Sequence, residues 1–292
     1  MKICISCHLS FISTGWICPH CHFEPQKING FLSFAPKLAY ENKGFPADGF
    51  DRLVFLEASH FWFRSRSKLI LWASAKYFKK FSNFLEIGCG NGYVLSCVKN
   101  AFPLLKLYGS EIYQQGLLHA SQRIPDAEFF QMDARDIPFK NHFDVIGAFD
   151  VLEHISEDEK VLSSIFKSIV PGGGILITVP QHRFLWTHVD NFSGHVRRYS
   201  AKELREKVEK AGFRVESVVS FISFLLPLML LSRLLHGNNP KKYDPEAELH
   251  QNFIINFILE KILDFERIFI RMGFRAPWGG SLLLVAKKDK NK

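Results

Sequence analysis

Short apolar runs alternate with longer amphipathic segments over the middle of the chain, from residue 83 to residue 220. Runs of this length that end at turns are typical of buried strands, and the segments between them have the apolar spacing of helices. A regular alternation of strands and helices indicates an α/β fold with a parallel sheet. The predicted strands are 83–87, 105–112, 127–132, 143–149, 175–179 and 213–219.

Apolar segments also flank this region. Residues 50–81 have helical spacing and predict helices before the first strand, whereas the scattered Gly, Pro and Asn of residues 26–50 indicate a loop. Residues 221–235 predict a buried or interfacial helix broken by Pro227, shorter than the roughly 18–20 apolar residues that cross a bilayer. Residues 253–272 predict an amphipathic helix.

The first predicted strand ends in a turn that contains three alternating glycines. Gly88, Gly90 and Gly92 follow the strand, and Glu86 lies two residues before the first of them. Glycine permits a sharp turn and a close approach of a ligand to the backbone, and the helix that follows offers free N–H groups. A dinucleotide-binding turn would have its third glycine at the position of Tyr93, so the spacing favours a different ligand.

The pattern Glu86-x-Gly88-x-Gly90-x-Gly92 resembles motif I of the class I S-adenosylmethionine (SAM) methyltransferases, and residues 50–235 are also similar to bacterial enzymes of the ubiquinone and menaquinone type. In that family the turn holds the methionine part of SAM. The resemblance covers residues 83–220. It implies a Rossmann-like seven-stranded sheet with helices on both faces, in which six strands are parallel and the last, 281–287, is antiparallel.

The resemblance also implies further cofactor-binding residues at the ends of the next strands. In the family, the acid at the position of Glu111 binds both ribose hydroxyl groups, and Ile112 follows it. The acid at the position of Asp133 accepts a hydrogen bond from the adenine amino group, and the backbone N–H of Ala134 binds a ring nitrogen. Asp150, at the end of the fourth strand, completes the expected SAM site.

Methyl transfer from SAM requires that the enzyme position the two reactants and exclude water. Some oxygen or nitrogen acceptors must also lose a proton. His154 is the first candidate base, His195 the second, and Asp150 a third. The stretch Asp150-x-x-Glu153-His154 also looks like the acid-acid-His cluster of methyltransferases that hold a divalent metal, although metal-free relatives share it. Arg64, Arg66, Arg197 and Arg198 could bind an acceptor carboxylate or phosphate, or simply form ion pairs.

Four cysteines near the N-terminus predict a structural zinc site. Cys4 and Cys7 form one C-x-x-C pair, and Cys18 and Cys21 form a second pair after ten intervening residues. Four thiolates can close a tetrahedral Zn²⁺ shell, and a ribbon this small would depend on the metal to fold. The start of the chain lacks an apolar signal-peptide segment, so we expect a reducing, cytoplasmic location.

These observations leave the methyl acceptor open. The 292 residues carry a net charge of +8, which permits an acidic partner. The aromatic and apolar segments before and after the predicted core favour a small, partly apolar acceptor, either free or linked to a lipid or glycan. Ribosomal RNA methylation through the ribbon and a non-catalytic SAM-binding scaffold are the alternatives. Residues 221–272 could form a cap, a dimer face or a membrane-surface contact.

The sequence divides into five predicted regions. These are the zinc ribbon 1–25, a linker with lid helices 26–82, the SAM-binding core 83–220, the helical insertion 221–280, and the last strand with a basic tail 281–292.

Overall fold

The computed structural model describes residues 1–41, 47–236 and 252–291. The strands in these ranges are β1 Lys2–Ile3, β2 Ser10–Phe11, β3 Gln26–Ile28, β4 Phe31–Ser33, β5 Asn83–Ile87, β6 Lys106–Glu111, β7 Glu128–Gln131, β8 Phe143–Phe149, β9 Ile169–Pro180, β10 Arg214–Phe221 and β11 Ser281–Lys287. The α-helices are α1 Pro36–Glu41, α2 Ala47–Leu56, α3 Phe61–Tyr77, α4 Tyr93–Ala101, α5 Gln114–Arg123, α6 Asp158–Ser168, α7 His188–Phe192, α8 Ala201–Lys210, α9 Leu226–His236 and α10 Phe253–Arg271.

One large sheet contains every strand from β3 onward, in the spatial order β10-β11-β9-β8-β5-β6-β7-β4-β3. Strands β5, β6, β7, β8 and β9 pair in parallel, and β11 lies antiparallel between β9 and β10. The predicted Rossmann-like fold, with an antiparallel last strand, is therefore confirmed. In such a sheet the carboxyl ends of the parallel strands share one edge, which is where ligands bind.

Helices cover both faces of this sheet and form two apolar layers. On one face, α6 and α8 contribute Val161, Ile165 and Leu204 to the core; on the other, α3, α4 and α5 contribute Ile70, Leu95 and Leu117. Burial on both faces explains why the central strands are almost continuously apolar.

The prediction of a loop across residues 26–50 is wrong for its first part. Strands β3 and β4 form a hairpin that extends the sheet beyond β7, and β4 pairs in parallel with β7. Ser33 donates to the buried side-chain oxygen of Gln131 at 2.6 Å, and the Gln131 amide donates to the Ala35 carbonyl at 2.8 Å. The hairpin strands have only three residues each, too few for an alternating pattern to be visible.

The flanking helices differ from the predicted ones in two places. The helical segment 50–81 is divided into α2 and α3, and the ring of His60 caps the start of α3 by accepting from the Trp62 N–H. Pro227 does not break a helix, because it lies in the first turn of α9, where a missing N–H costs nothing. Helix α10 lies where it was predicted, and within the described ranges no helix is long and apolar enough to cross a membrane.

The N-terminal cysteine ribbon, residues 1–25, packs against the sheet rather than standing apart from it. The Ile3 N–H donates to the Pro138 carbonyl at 3.0 Å. The Trp16 ring makes edge contacts with Phe34 and Phe139, with centroids 4.6 and 5.3 Å away. These aromatic contacts join the ribbon to the edge of the sheet that β3 and β4 extend.

Candidate active site

The glycine turn after β5 adopts the left-handed conformation that its sequence requires. The φ angles of Gly88, Gly90 and Gly92 are +64°, +51° and +73°, values that cost little only for glycine. A Cβ on Gly88 would lie 2.5 Å from Val151 Cγ2, and one on Gly92 would lie 3.0 Å from Ala120 Cβ. The turn is therefore shaped both by its backbone angles and by close neighbours.

A pocket of about 430 Å³ opens at the carboxyl ends of the strands, beside this turn. It brings together most of the predicted site residues, namely Gly88, Gly90, Glu111, Ile112, Asp133, Ala134, Asp150 and His154. Three predicted residues do not line it. Gly92 packs against α5, and His195 lies behind His154. Glu86 is buried beneath the turn, where it accepts from the Leu95 N–H at the start of α4.

Glu111 presents its carboxylate at the pocket wall and is held there by the backbone. Its two oxygens accept from the Gly90 N–H at 3.0 Å and from the Ile112 N–H at 2.7 Å. Burial raises the pKa of Glu111, and these N–H groups oppose that shift. A carboxylate fixed in this way keeps further acceptor capacity, which suits a vicinal diol.

Asp133 lies after β7 and forms an ion-pair chain along the pocket wall. It accepts from the Arg135 N–H at 2.9 Å and from Arg135 Nε at 3.0 and 2.9 Å. The same guanidinium group also pairs with Glu157. All three side chains line the pocket, so the acidic group expected at the adenine end is present and oriented by a neighbouring cation.

Asp150 has a left-handed backbone, with φ of +58°, and its carboxylate is paired. One oxygen accepts from the buried Arg66 side chain, and the other accepts from the Thr178 hydroxyl at 3.3 Å. The Arg66 guanidinium also stacks over Trp62, 4.2 Å from the ring centroid. Burial lowers the pKa of Arg66 to about 10, which leaves it charged at neutral pH.

The four arginines that could bind an acceptor anion are all in internal ion pairs. Arg66 pairs with Asp150, Arg64 pairs with Glu260, Arg197 pairs with Asp158, and Arg198 pairs with Asp190. Ion pairing, the second of the two roles considered for them, is therefore the one that the structure shows.

The two candidate histidines meet beside the pocket. The rings of His154 and His195 are in edge contact, with centroids 4.7 Å apart. Burial lowers the pKa of His154 to about 4, and the neighbouring His195 adds to that shift. His195 Nδ1 lies 2.8 Å from Asp190 Oδ1. Although burial acts in the opposite direction, hydrogen bonds from His195 and Arg198 lower the pKa of Asp190 well below its usual range.

The four N-terminal cysteines converge on one point. Cys4 Sγ lies 3.5 Å from Cys21 Sγ, and Cys7 Sγ lies 3.7 Å from Cys18 Sγ. All four sulfurs are within 4.8 Å of one another. A tetrahedral ion with Zn–S bonds of about 2.3 Å would place its sulfurs roughly 3.8 Å apart, so the donor set and its spacing fit such an ion.

Residues 56–218, more than half of the chain, match a family model described as a methyltransferase domain. The chain belongs to this methyltransferase family. A probable S-adenosylmethionine-dependent methyltransferase of Mycolicibacterium smegmatis is 26% identical over 180 residues, which are 60% of this chain and 67% of that protein. The trans-aconitate 2-methyltransferase of Variovorax paradoxus is 30% identical over 105 residues, 36% of this chain and 40% of that enzyme.

Solved structures agree with the fold. A SAM-dependent methyltransferase of Thermotoga maritima superimposes with a TM-score of 0.53 at 14% identity, covering 87% of this chain and all of the other. The match to the methyltransferase family and to the M. smegmatis relative confirms the predicted SAM-dependent methyltransferase class. The chain spans less than half the length of the trans-aconitate enzyme, so the acceptor of that relative is not transferred to this chain by the match.

Several pocket residues were not predicted from the sequence. Phe50 and Leu53 line the pocket from α2, Leu38 lines it from α1, and Arg135 and Glu157 close one side. The resemblance to methyltransferases predicted that residues 50–81, which include Phe50 and Leu53, form a lid over the active site, but it did not single out these two side chains. Arg135 could have been singled out, because it lies two residues after Asp133.

Proposed function

We propose that this methyltransferase moves the methyl group of SAM to an oxygen or nitrogen of a small, partly apolar acceptor. The observation that carries the proposal is the single pocket lined by the glycine turn, Glu111 and Asp133. In it, Gly88 and Gly90 would bind the methionine part of SAM, Glu111 the ribose, and Asp133 with Ala134 the adenine.

The size and lining of the pocket support a small acceptor. Its volume of about 430 Å³ is within the roughly 300–1,000 Å³ of small-molecule sites. Phe50 and Leu53 add apolar side chains to its lining. The nearby arginines are already paired with buried or half-buried acids, which leaves them poorly placed to bind a phosphate backbone. RNA methylation is therefore the weaker alternative.

Helix α10 supports an acceptor that is presented at a membrane surface. Its inner face carries polar groups that bind the protein: Glu260 pairs with Arg64 and Lys68, and Asn256 accepts from the Phe61 N–H at 2.7 Å. Its outer face is apolar and exposed, and carries Phe253, Ile254, Phe257, Ile258, Phe265, Ile268 and Met272. The charged side chain in the middle of that face is Lys261, so the surface suits an anionic bilayer.

The four cysteines would hold a structural Zn²⁺ in the ribbon. Their sulfur spacing supports this assignment, and four thiolates form a closed shell without an open catalytic position. Because Trp16 joins the ribbon to the sheet beside Phe34, the metal would stabilise the edge of the sheet that leads into α1 and the pocket. We infer a structural rather than a catalytic role for this ion.

Methyl transfer is tested by incubating the protein with methyl-labelled SAM and a cell extract, followed by separation into lipid, RNA, protein and small-molecule fractions. Label in the lipid or small-molecule fraction supports the proposal. Label in RNA supports the alternative, and the absence of label from all fractions despite SAM binding supports a scaffold. A Glu111→Ala variant is the control that reports label from any contaminating enzyme.

Membrane binding is tested by sedimentation with phosphatidylglycerol or phosphatidylcholine vesicles. We expect binding to the anionic vesicles, and at least a tenfold loss when Ile254 and Ile258 are both replaced by Glu. The matched control is Leu104→Glu, because Leu104 is 98% exposed and lies in the loop before β6, outside α10. Equal binding by both variants would contradict a role for α10.

A further inference from the structure

Three side chains beside the cofactor pocket bring atoms that can ligate a metal close together. Glu153 and His154 lie in the 3₁₀ turn after β8, and His195 follows α7. Each offers one ligand atom, and these atoms all lie within 4.8 Å of one another. The backbone holds the two segments together, since the Val196 N–H donates to the Glu153 carbonyl at 2.8 Å.

The carboxylate of Glu153 has no role in the internal network. The residue is fully buried, and neither of its side-chain oxygens has a hydrogen-bond partner among the described residues. The two nearest guanidinium groups are committed elsewhere, Arg66 to Asp150 and Arg198 to Asp190. A buried carboxylate without a partner requires an explanation, and an ion bound by both histidines would supply one.

The surroundings of His195 match those of a metal-binding imidazole. Its Nδ1 lies 2.8 Å from Asp190 Oδ1, and Arg198 fixes the same carboxylate from the other side at 2.7 Å. Asp190 is completely buried and also caps α7 through the Thr187 N–H at 2.7 Å. Ligating histidines usually donate their second ring N–H to such a carboxylate, which orients the ring and leaves Nε2 for the metal.

We propose that Glu153, His154 and His195 bind one divalent transition-metal ion beside the cofactor pocket. Two imidazoles and one carboxylate form a set that suits Fe²⁺, Mn²⁺ or Zn²⁺ and leaves coordination positions open. Asp150, which the sequence pattern grouped with Glu153 and His154, pairs with Arg66 instead. Because His154 lines the pocket, the ion would lie at the pocket wall.

The test uses the full-length protein carrying one equivalent of Zn²⁺, which the four thiolates bind in preference to imidazole and carboxylate ligands, so that the cysteines do not compete for the probe. Mn²⁺ is titrated in, and the free ion is followed by electron paramagnetic resonance. We expect one tightly bound Mn²⁺ per chain. Glu153→Gln and His195→Ala should weaken binding at least tenfold, and Asp190→Asn should weaken it about 10–100-fold through the orientation of His195. His188→Ala is the control, because His188 is a nearby histidine outside the cluster.

Wild-type protein that binds no Mn²⁺, or that binds it equally well after the Glu153 and His195 changes, would overturn the proposal. Thermal unfolding of each variant shows whether it is folded, and Glu153→Gln preserves shape if His195→Ala is unstable. SAM binding is measured on the same samples. Loss of Mn²⁺ with intact SAM binding separates this site from the methyl-transfer proposal, on which it does not depend.

Discussion

Replacing Gly88 by Ala places one methyl group at the tightest of the three glycine positions. The added Cβ would lie 2.5 Å from Val151 Cγ2, at a φ of +64°. A left-handed alanine costs roughly 1–2 kcal/mol, and forcing an extra carbon into a packed region costs about 1–3 kcal/mol. We therefore expect the free energy of unfolding to fall by about 2–5 kcal/mol.

Two comparisons separate these costs in urea unfolding. Gly30→Ala has a comparable φ of +87° and open space around the added Cβ, so it should lose only the roughly 1–2 kcal/mol of backbone strain. Adding Val151→Ala to Gly88→Ala removes the contacted methyl group and should recover most of the steric part. SAM affinity, measured by calorimetry, should fall at least tenfold in Gly88→Ala and stay unchanged in Gly30→Ala.

Equal destabilisation by Gly88→Ala and Gly30→Ala would refute the claim that Val151 restricts this turn. So would a double variant in which the Val151 change adds its own cost and restores nothing. If Gly88→Ala is destabilised as expected but binds SAM normally, the close contacts of the turn serve only the packing of the fold. The assignment of the turn to the cofactor would then be wrong.

Three further predictions concern the ribbon and the buried ion pair. Each chain should release one zinc ion on treatment with a strong chelator, and the unfolding temperature should fall as the ion is removed. Trp16→Ala should cost about 2–4 kcal/mol in urea unfolding, because it removes an aromatic ring packed against the sheet. Arg66→Ala should cost about 3–5 kcal/mol by leaving Asp150 without its partner, whereas Lys202→Ala, which breaks an exposed pair with Glu206, should change stability by at most about 0.5 kcal/mol.

Most of the core sheet could be predicted because burial on both faces makes its strands visible in the sequence. Strands β5 and β8 begin and end at the predicted residues, and β11 does so as well. Strand β9 begins at Ile169, before the predicted residue 175, and its register with β8 shifts across the Pro-Gly segment. That irregularity depends on pairing with β8, which local periodicity does not report.

The site was harder to predict because its contacts join distant parts of the chain. Arg66 and Asp150 are 84 residues apart, and their pairing depends on α3 crossing the end of β8. The convergence of His195 with Glu153 likewise depends on the loop after β9 folding back. Sequence patterns identify residue types at strand ends, but ion pairs between them are set by tertiary packing.

The central claim is that the pocket beside the glycine turn binds SAM, and calorimetric titration with SAM tests it most directly. We predict one site per chain, no comparable binding of NAD⁺, and at least a tenfold loss of affinity in Glu111→Ala, since hydrogen bonds to a charged group contribute about 1.5–3 kcal/mol. Thermal unfolding confirms that the variant is folded. Absence of SAM binding by the wild-type protein, or equal affinity in folded Glu111→Ala, would contradict the account.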